Sequence, residues 1–217
     1  VAVFGGEVAQ AQAFSHLPFN HIVFTGSPAV GHHIMRAASQ NLTPVTLELG
    51  GKSPALVSAE GPLAAAAERI AHGKAFNSGQ ICVSPDYALV PRSKVEEFAT
   101  EVQASFRKLY PTVQGNHEYT SITSEPHAQR IRDLLAEATA KGAKVTACGD
   151  NGPGRRIPLH VVTGVTEDMR IAKEELFGPI LPVIPYDNID QAIAYIAARP
   201  RPLAMYPFGF SGAELDK

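Results

Sequence analysis

A thiol in a turn-rich segment is the first candidate for chemistry in this sequence. Cys82 lies in segment 76–87, FNSGQICVSPDY, between a predicted helix and a predicted strand. A cysteine in an accessible loop can react as the thiolate, which is the nucleophilic form of the side chain. A buried structural thiol is the more common role of a lone cysteine. Cys148, at the end of a predicted strand, fits that second role, so we interpret Cys82 as the candidate nucleophile.

A carboxylate inside an apolar strand is the second candidate. In segment 45–54, VTLELGGKSP, the apolar side chains point to one face of the predicted strand and Glu48 points to the other. One interpretation is a general base whose pKa is raised by partial burial. The alternative is an ordinary carboxylate that faces solvent.

A strand-to-helix turn is the third candidate. Segment 24–31, FTGSPAVG, places Gly26 between a strand and a helix start. The N–H groups and the dipole at a helix N-terminus suit a phosphate, and a glycine lets the backbone come close to it. The segment is neither GxGxxG nor a P-loop, so an ordinary turn is the alternative.

The elements that must position these residues alternate between strand and helix. The first fifty residues predict strands at 1–4, 21–24 and 45–49 and helices at 7–15 and 29–39. This β-α-β-α-β order predicts a parallel sheet with helices on its faces.

The rest of the chain continues the alternation. Ser93 and Glu96 predict a capping box, Asn188 predicts a helix cap, and Pro207 predicts a strand that ends there or lies at a sheet edge. Helices are predicted from Pro62, from Ser93, over 126–140 and after Asn188, and strands over 87–90, 144–147, 160–163, 180–184 and 204–206.

Composition excludes several classes of function. Of the 217 residues, 45% are hydrophobic and 18% are charged, and the formal net charge is −2, so no strong field favours nucleic acid or an anionic membrane. No apolar run of about 18 residues predicts a membrane span. The two cysteines form neither a CxxC pair nor a disulfide framework, so the cytoplasm is the simplest compartment. No metal site is expected.

Three motifs in order resemble the aldehyde dehydrogenase superfamily. They are LELGGKSP at 47–54, NSGQIC at 77–82 and EELFGP at 174–179. Within the superfamily the chain is similar to the coniferyl aldehyde dehydrogenases and the class 3 enzymes, which act on aromatic and fatty aldehydes. The segments behind that finer similarity are CVSPDY at 82–87, YPT at 110–112, YTSI at 119–122 and RPRPLA at 199–204.

The resemblance implies a role for each candidate. Cys82 would attack the aldehyde carbon, and the thiohemiacetal would become a thioester as hydride leaves for the nicotinamide. Glu48 would activate the water that hydrolyses the thioester. The backbone N–H of Cys82 could be one donor to the oxyanion.

The resemblance also implies residues that bind the cofactor, NAD or NADP. Gly26, Ser27 and Gly31 belong to the segment that the family places beside the cofactor diphosphate. Glu175 would hold the nicotinamide-side ribose, and Phe177 would pack against that end of the cofactor.

The implied fold is α/β in two parts. Residues 1–49 would be a partial NAD(P)-binding domain, the C-terminal part of a Rossmann-like domain, and residues 50–217 a catalytic domain that is C-terminally incomplete. The family's oxyanion-hole asparagine lies upstream of these motifs and its oligomerisation strand lies downstream. We therefore expect the 217-residue chain alone to be poorly active, and the intact enzyme to be a homodimer or larger.

The sequence leaves other functions open. An inactive fragment or pseudoenzyme could survive as a binding module. A CoA-acylating enzyme is a second alternative, although Glu48 favours water as the acyl acceptor. A cysteine hydrolase would pair Cys82 with one of eight histidines, but none lies in a recognisable partner motif.

Overall fold

The computed structural model of the chain describes residues 1–215, and the chain forms two compact units, Val1–Gly50 and Gly51–Lys217. The predicted division lay one residue earlier. Within the first unit the elements are α1 (Val8–Ser15), β1 (Ile22–Gly26), α2 (Pro28–Ser39) and β2 (Val45–Leu49).

The second unit contains a six-stranded sheet with helices around it. Its elements are β3 (Pro54–Val57), α3 (Leu63–Ala75), β4 (Tyr87–Pro91), α4 (Val95–Leu109), α5 (Glu125–Ala140), β5 (Lys144–Ala147), β6 (His160–Thr163), α6 (Arg170–Lys173), β7 (Ile180–Tyr186), α7 (Ile189–Ala197), β8 (Tyr206–Phe208) and α8 (Gly212–Leu215). The strand order is β5-β6-β7-β4-β3-β8, and every neighbouring pair is parallel except β5 with β6. The predicted α/β fold with a parallel sheet is confirmed.

The first unit is a parallel two-stranded sheet with α2 packed against it. Strands β1 and β2 pair in register from Ile22 with Val45 to Gly26 with Leu49. The side chain of Ser27 caps α2 by accepting a hydrogen bond from the Val30 N–H at 3.4 Å, and proline follows in the first turn.

The strand predicted over residues 1–4 is wrong. These residues are exposed and form no strand in the structure. An apolar run becomes a strand only when its backbone groups find a partner strand, and within the described chain β1 and β2 pair with each other alone.

The core of the second unit covers both faces of its sheet. Every residue of β3 and β4 is buried, as expected for central parallel strands. On one face α3 and α4 contribute Ile70, Phe98 and Phe106. Strand β3 was not predicted, because PALV is too short for a period to be visible.

Two predicted details differ in outcome. The capping box of Ser93 with Glu96 is wrong, because residues 92–94 form a 3-10 turn and α4 starts after Lys94 without a side-chain cap. Glu96 instead forms an exposed ion pair with Lys144 at 3.0 Å. The Asn188 cap of α7 is confirmed, since its side chain accepts from the Gln191 N–H at 3.0 Å.

Within residues 1–215 the edge prediction for Pro207 is also confirmed, because β8 is the last strand of the sheet that these residues form. An edge strand tolerates a residue that lacks a backbone donor. Among the helices of residues 1–215, none has the length and apolar character that crossing a bilayer requires.

Candidate active site

The loop that carries Cys82 starts with an unusual backbone turn. Asn77, Ser78 and Gly79 follow α3 with φ values of 50°, 54° and 72°, so three consecutive residues are left-handed. A left-handed backbone costs free energy for residues other than glycine, so it needs support from its surroundings. The side-chain amide of Asn77 supplies some of it by donating to the Gln80 carbonyl at 3.1 Å.

Segment 120–123 supplies the remaining support. The buried side chain of Gln80 donates to the Ser121 carbonyl at 3.2 Å and accepts from the Thr123 N–H at 2.8 Å. The hydroxyl of Ser78 donates to the Thr120 carbonyl. These hydrogen bonds join the turn before Cys82 to a segment about 40 positions later in the chain, and they hold the backbone of the turn in place.

The two thiols differ in exposure. Cys82 is partly exposed, whereas Cys148 is fully buried. Burial raises the pKa of the Cys148 thiol to about 12, so that thiol stays protonated and inert near neutral pH. Cys82 is therefore the thiol that a substrate can reach.

Tyr206 is a neighbour of Cys82 that sequence reasoning missed. Its hydroxyl donates to the Val83 carbonyl. Its pKa is raised, first by burial and then by the nearby Cys82 thiolate. Tyr206 lies 124 positions from Cys82 in sequence, so only the pairing of β8 with β3 could reveal the contact.

The segments before four adjacent strands meet at the amino ends of those strands. Strands β7, β4, β3 and β8 are parallel neighbours, so the segments that lead into them lie side by side at the same end of the sheet. Cys82 precedes β4, residues 174–179 precede β7, and residues 51–53 precede β3. The sheet thus gathers residues from separate motifs.

Two glycines join the cysteine loop to segment 174–179. A Cβ added at Gly79 would lie 2.8 Å from the carbonyl carbon of Gly178 and closer still to its oxygen. The two backbones are therefore in direct contact. Only a residue without a side chain permits this approach.

Phe177 lies beside this contact and is partly exposed. Its φ is 45°, a left-handed value for a residue with a bulky side chain. The His127 imidazole Nε2 is 2.8 Å from the Phe177 carbonyl oxygen, and the two rings are 6.2 Å apart. Residue 177 is thus held with its ring available at the surface.

Glu175 is half-buried, and the backbone N–H of Gly51 lies near its carboxylate. The pKa of its carboxyl is raised, first by burial and also by the charge of Asp86. The N–H of Gly51 and the cations Lys52 and Lys74 act in the opposite direction.

Three buried charges lie behind Glu175 and were missed by sequence reasoning. Lys52 and Asp86 form an ion pair with side chains 10% and 3% exposed. The Lys74 ammonium is buried as well, and burial lowers the pKa of Lys74 to about 8. Lys52 and Asp86 belong to motifs quoted above, but only the fold shows that their charges meet.

In the first unit the candidates lie at the carboxyl ends of β1 and β2. Glu48 pairs with Thr25, one residue before Gly26 pairs with Leu49. The partial burial expected for Glu48 is not found, because its side chain is exposed.

The glycines of the phosphate turn have steric roles in the first unit. A Cβ at Gly31 would lie 3.1 Å from Leu49, so this glycine lets α2 pack closely on β2. A Cβ at Gly26 would collide with the Phe24 ring. Ser27 uses its side chain as the cap of α2, a twelve-residue helix whose N-terminus suits an anion.

The structure thus brings the predicted residues into two groups. Glu48, Gly26, Ser27 and Gly31 belong to the first unit, and Cys82, Glu175 and Phe177 belong to the second. Within residues 1–215, no cluster of three or more histidine, cysteine or acidic side chains is arranged to hold a metal ion.

Comparison with known proteins identifies relatives along the whole chain. The family model described as "Aldehyde dehydrogenase family" matches residues 1–208. A probable coniferyl aldehyde dehydrogenase of Pseudomonas aeruginosa is 50% identical over 217 residues, which are 100% of this chain and 46% of that protein. The coniferyl aldehyde dehydrogenase of a Pseudomonas species is 41% identical over 98% of this chain and 45% of its own length. The chain spans about half the length of these curated relatives.

Solved structures give the same result. Staphylococcus aureus AldH in its substrate-bound state matches with a TM-score of 0.91 and 38% identity, over 97% of this chain and 46% of that one. A Mycobacterium tuberculosis aldehyde dehydrogenase complexed with NAD+ has a TM-score of 0.85 and 32% identity, over 95% and 44%. The NADP-dependent glyceraldehyde-3-phosphate dehydrogenase of Bacillus halodurans, complexed with NADP, has a TM-score of 0.86 and 29% identity, over 95% and 43%.

Proposed function

The chain belongs to the aldehyde dehydrogenase family, and on this premise we propose that its protein oxidises an aldehyde to the carboxylic acid with a nicotinamide dinucleotide as hydride acceptor. One observation carries the proposal. Cys82 is the partly exposed thiol, and its loop packs through Gly79 directly on the segment that contains Glu175 and Phe177. A thiol on a loop that contacts the segment with a half-buried carboxylate and an exposed aromatic ring suits an aldehyde held next to a cofactor.

In the proposed reaction Cys82 acts as the nucleophile. Its thiolate forms a C–S bond to the aldehyde carbon, and the carbonyl electron pair moves to the oxygen as an alkoxide. The bound cofactor supplies a hydride acceptor. Loss of hydride from the carbon restores the C=O bond and leaves an acyl thioester on Cys82.

Glu48 completes the proposed cycle as general base. Its carboxylate takes a proton from a water molecule, and the water oxygen adds to the thioester carbon. The C–S bond breaks, the carboxylic acid leaves, and the thiolate of Cys82 is regenerated. A base for water favours hydrolysis over transfer of the acyl group to CoA.

Several residues fit a nicotinamide dinucleotide, NAD or NADP. The Glu175 carboxylate is half-buried, and its lone pairs can accept hydrogen bonds from ribose hydroxyls. The N-terminus of α2, with Gly26, Ser27 and Gly31 around it, suits the diphosphate. We assign the first unit to the cofactor domain and the second to the catalytic domain, while a homodimeric or larger assembly and a cytoplasmic location stay predictions.

For the substrate we propose an aromatic aldehyde such as coniferyl aldehyde, or a long-chain aldehyde. The names of the two Pseudomonas relatives support the aromatic class. The two classes are separable by comparing kcat/KM for coniferyl aldehyde with that for an aliphatic aldehyde of similar length.

The experiment uses matched cysteine variants of the protein expressed from its complete reading frame. Cys82→Ser should abolish formation of reduced cofactor from coniferyl aldehyde with NAD or NADP, because a serine hydroxyl is a far weaker nucleophile than a thiolate. Cys148→Ser is the control and should retain activity if it folds. Undiminished turnover by Cys82→Ser would refute the proposal.

A further inference from the structure

The backbone on both sides of Glu175 is held by one buried ion pair. The carbonyl oxygen of Glu174 accepts from the Lys52 ammonium at 2.9 Å. The N–H of Leu176 donates to Asp86 Oδ2 at 2.8 Å. Lys52 and Asp86 are joined to each other through the second carboxylate oxygen of Asp86. Glu175 therefore lies on a short arch whose two ends are attached to the same pair.

All three donors of Lys52 and both carboxylate oxygens of Asp86 take part in hydrogen bonds. An ammonium has three N–H donors, and those of Lys52 go to Asp86, to the Glu174 carbonyl and to the Ile171 carbonyl at 3.0 Å. The N–H of Gly51, the residue before Lys52, lies near the Glu175 carboxylate and acts to lower the pKa of that carboxyl. Two consecutive residues, Gly51 and Lys52, thus face position 175.

Stability alone is a weak explanation for this arrangement. Burying two charges is costly, and replacing a buried pair by apolar side chains is often neutral or stabilising. What such a pair does provide is directional hydrogen bonding, with fixed donors and acceptors at fixed places. Here one bond from each member of the pair ends on a residue adjacent to Glu175, namely Glu174 and Leu176, and a third ends on Ile171 in the preceding helix.

We infer that the buried Lys52–Asp86 pair is a positioning device that presents the Glu175 carboxylate to the ribose hydroxyls of the cofactor. The inference rests on the proposed function, in which Glu175 binds that ribose. Lys52 and Asp86 are positioning residues: they act through Glu175 and touch neither substrate nor cofactor themselves. Arg130 supports the same segment from the solvent side by donating to the carbonyls of Glu175 at 2.8 Å and Leu176 at 3.0 Å.

The choice of variants depends on the net charge of the buried groups around Asp86. Lys52 and Lys74 face Asp86 and Glu175, which makes two cations and two anions. Asp86→Asn leaves one buried cation in excess and can prevent folding. Asp86→Asn combined with Lys74→Met restores one cation and one anion, and it serves as the second variant. Asp187→Asn, which breaks an exposed ion pair with Arg92 in the same unit, is the matched control.

The test is a double-mutant cycle on the protein expressed from its complete reading frame. Its readout is the affinity for the cofactor, measured by nucleotide fluorescence without turnover. Glu175→Gln should weaken binding of the reduced cofactor about tenfold, or ~1.4 kcal/mol. Asp86→Asn, or the charge-balanced variant, should weaken it to a similar degree. Added to Glu175→Gln, either should cause little further loss, because both changes remove the same contact. Asp187→Asn should bind as the wild type does.

The outcomes separate the inference from the function on which it rests. If Glu175→Gln weakens binding and the Asp86 variants do not, the positioning role is wrong and the proposed function stands. Equal additional losses in the wild-type and Glu175→Gln backgrounds would also overturn it, since that result shows a general structural effect. If Glu175→Gln binds normally, both the positioning role and the proposed contact of Glu175 with the ribose are wrong.

Discussion

The contact between Gly79 and Gly178 makes a quantitative prediction about the cysteine loop. Gly79→Ala places a Cβ 2.8 Å from the Gly178 carbonyl carbon and nearer to its oxygen, and both partners are backbone that cannot rotate away. The φ of 72° adds strain for any residue with a side chain. Gly115→Ala is a matched control, since its φ is 75° and no atom lies within 4 Å of the new Cβ.

The two variants share the cost of a left-handed alanine, roughly 1–2 kcal/mol. Only Gly79→Ala adds overpacking, which costs about 1–3 kcal/mol. In a unit of this size 1 kcal/mol lowers Tm by about 2–4 °C, so Gly79→Ala should melt on the order of 2–12 °C below Gly115→Ala. Its aldehyde oxidation should also fall about 100-fold if the loop moves by about 1 Å.

The assay is thermal unfolding of both variants and the wild type in one buffer, with steady-state rates measured on the same samples. Equal Tm values for the two variants would refute the direct backbone contact. A normal rate for Gly79→Ala would show that the loop position does not matter for catalysis.

Two further predictions concern the thiols and the buried lysine. Limited iodoacetamide labelling with peptide mapping should modify Cys82 well before Cys148, because only Cys82 is accessible, and preferential labelling of Cys148 would contradict the assignment. The pKa of Lys74 is lowered from 10.5 to about 8 in the folded protein, so between those values the unfolded chain binds more protons and stability rises with pH. Urea unfolding should therefore show the wild type gaining stability relative to Lys74→Met from about pH 8 to about pH 10.5, and a constant difference would refute the burial of a titrating ammonium.

Local patterns predicted much of the secondary structure because the relevant information lies within a few residues. The strands at 45–49, 144–147 and 160–163 were placed at their observed ends. The Asn188 cap needs only the next three residues. The predictions failed where a distant partner determines the local structure. Within the described chain residues 1–4 have no strand to pair with, and Glu96 forms an ion pair with Lys144 instead of a capping box.

The candidate site shows the same division between local and distant information. The motif residues were found from sequence, and resemblance to the family was confirmed by comparison. The contact of Lys52 with the Glu174 carbonyl joins residues 122 positions apart, and the charge of Lys74 gains its significance only from burial. Periodicity and spacing do not reveal these contacts, because the contacts form only when separate segments meet at the amino ends of neighbouring strands.

The proposed mechanism requires that Cys82 carry the acyl group during aldehyde oxidation. The most direct measurement uses Glu48→Gln, which keeps the side-chain size and removes the proposed base. The protein from the complete reading frame is mixed with coniferyl aldehyde and cofactor, quenched in acid and examined by peptide mass spectrometry. A thioester on the Cys82 peptide should accumulate in the variant and stay scarce in the wild type. Continued turnover by Glu48→Gln with no acyl group on Cys82 would contradict it.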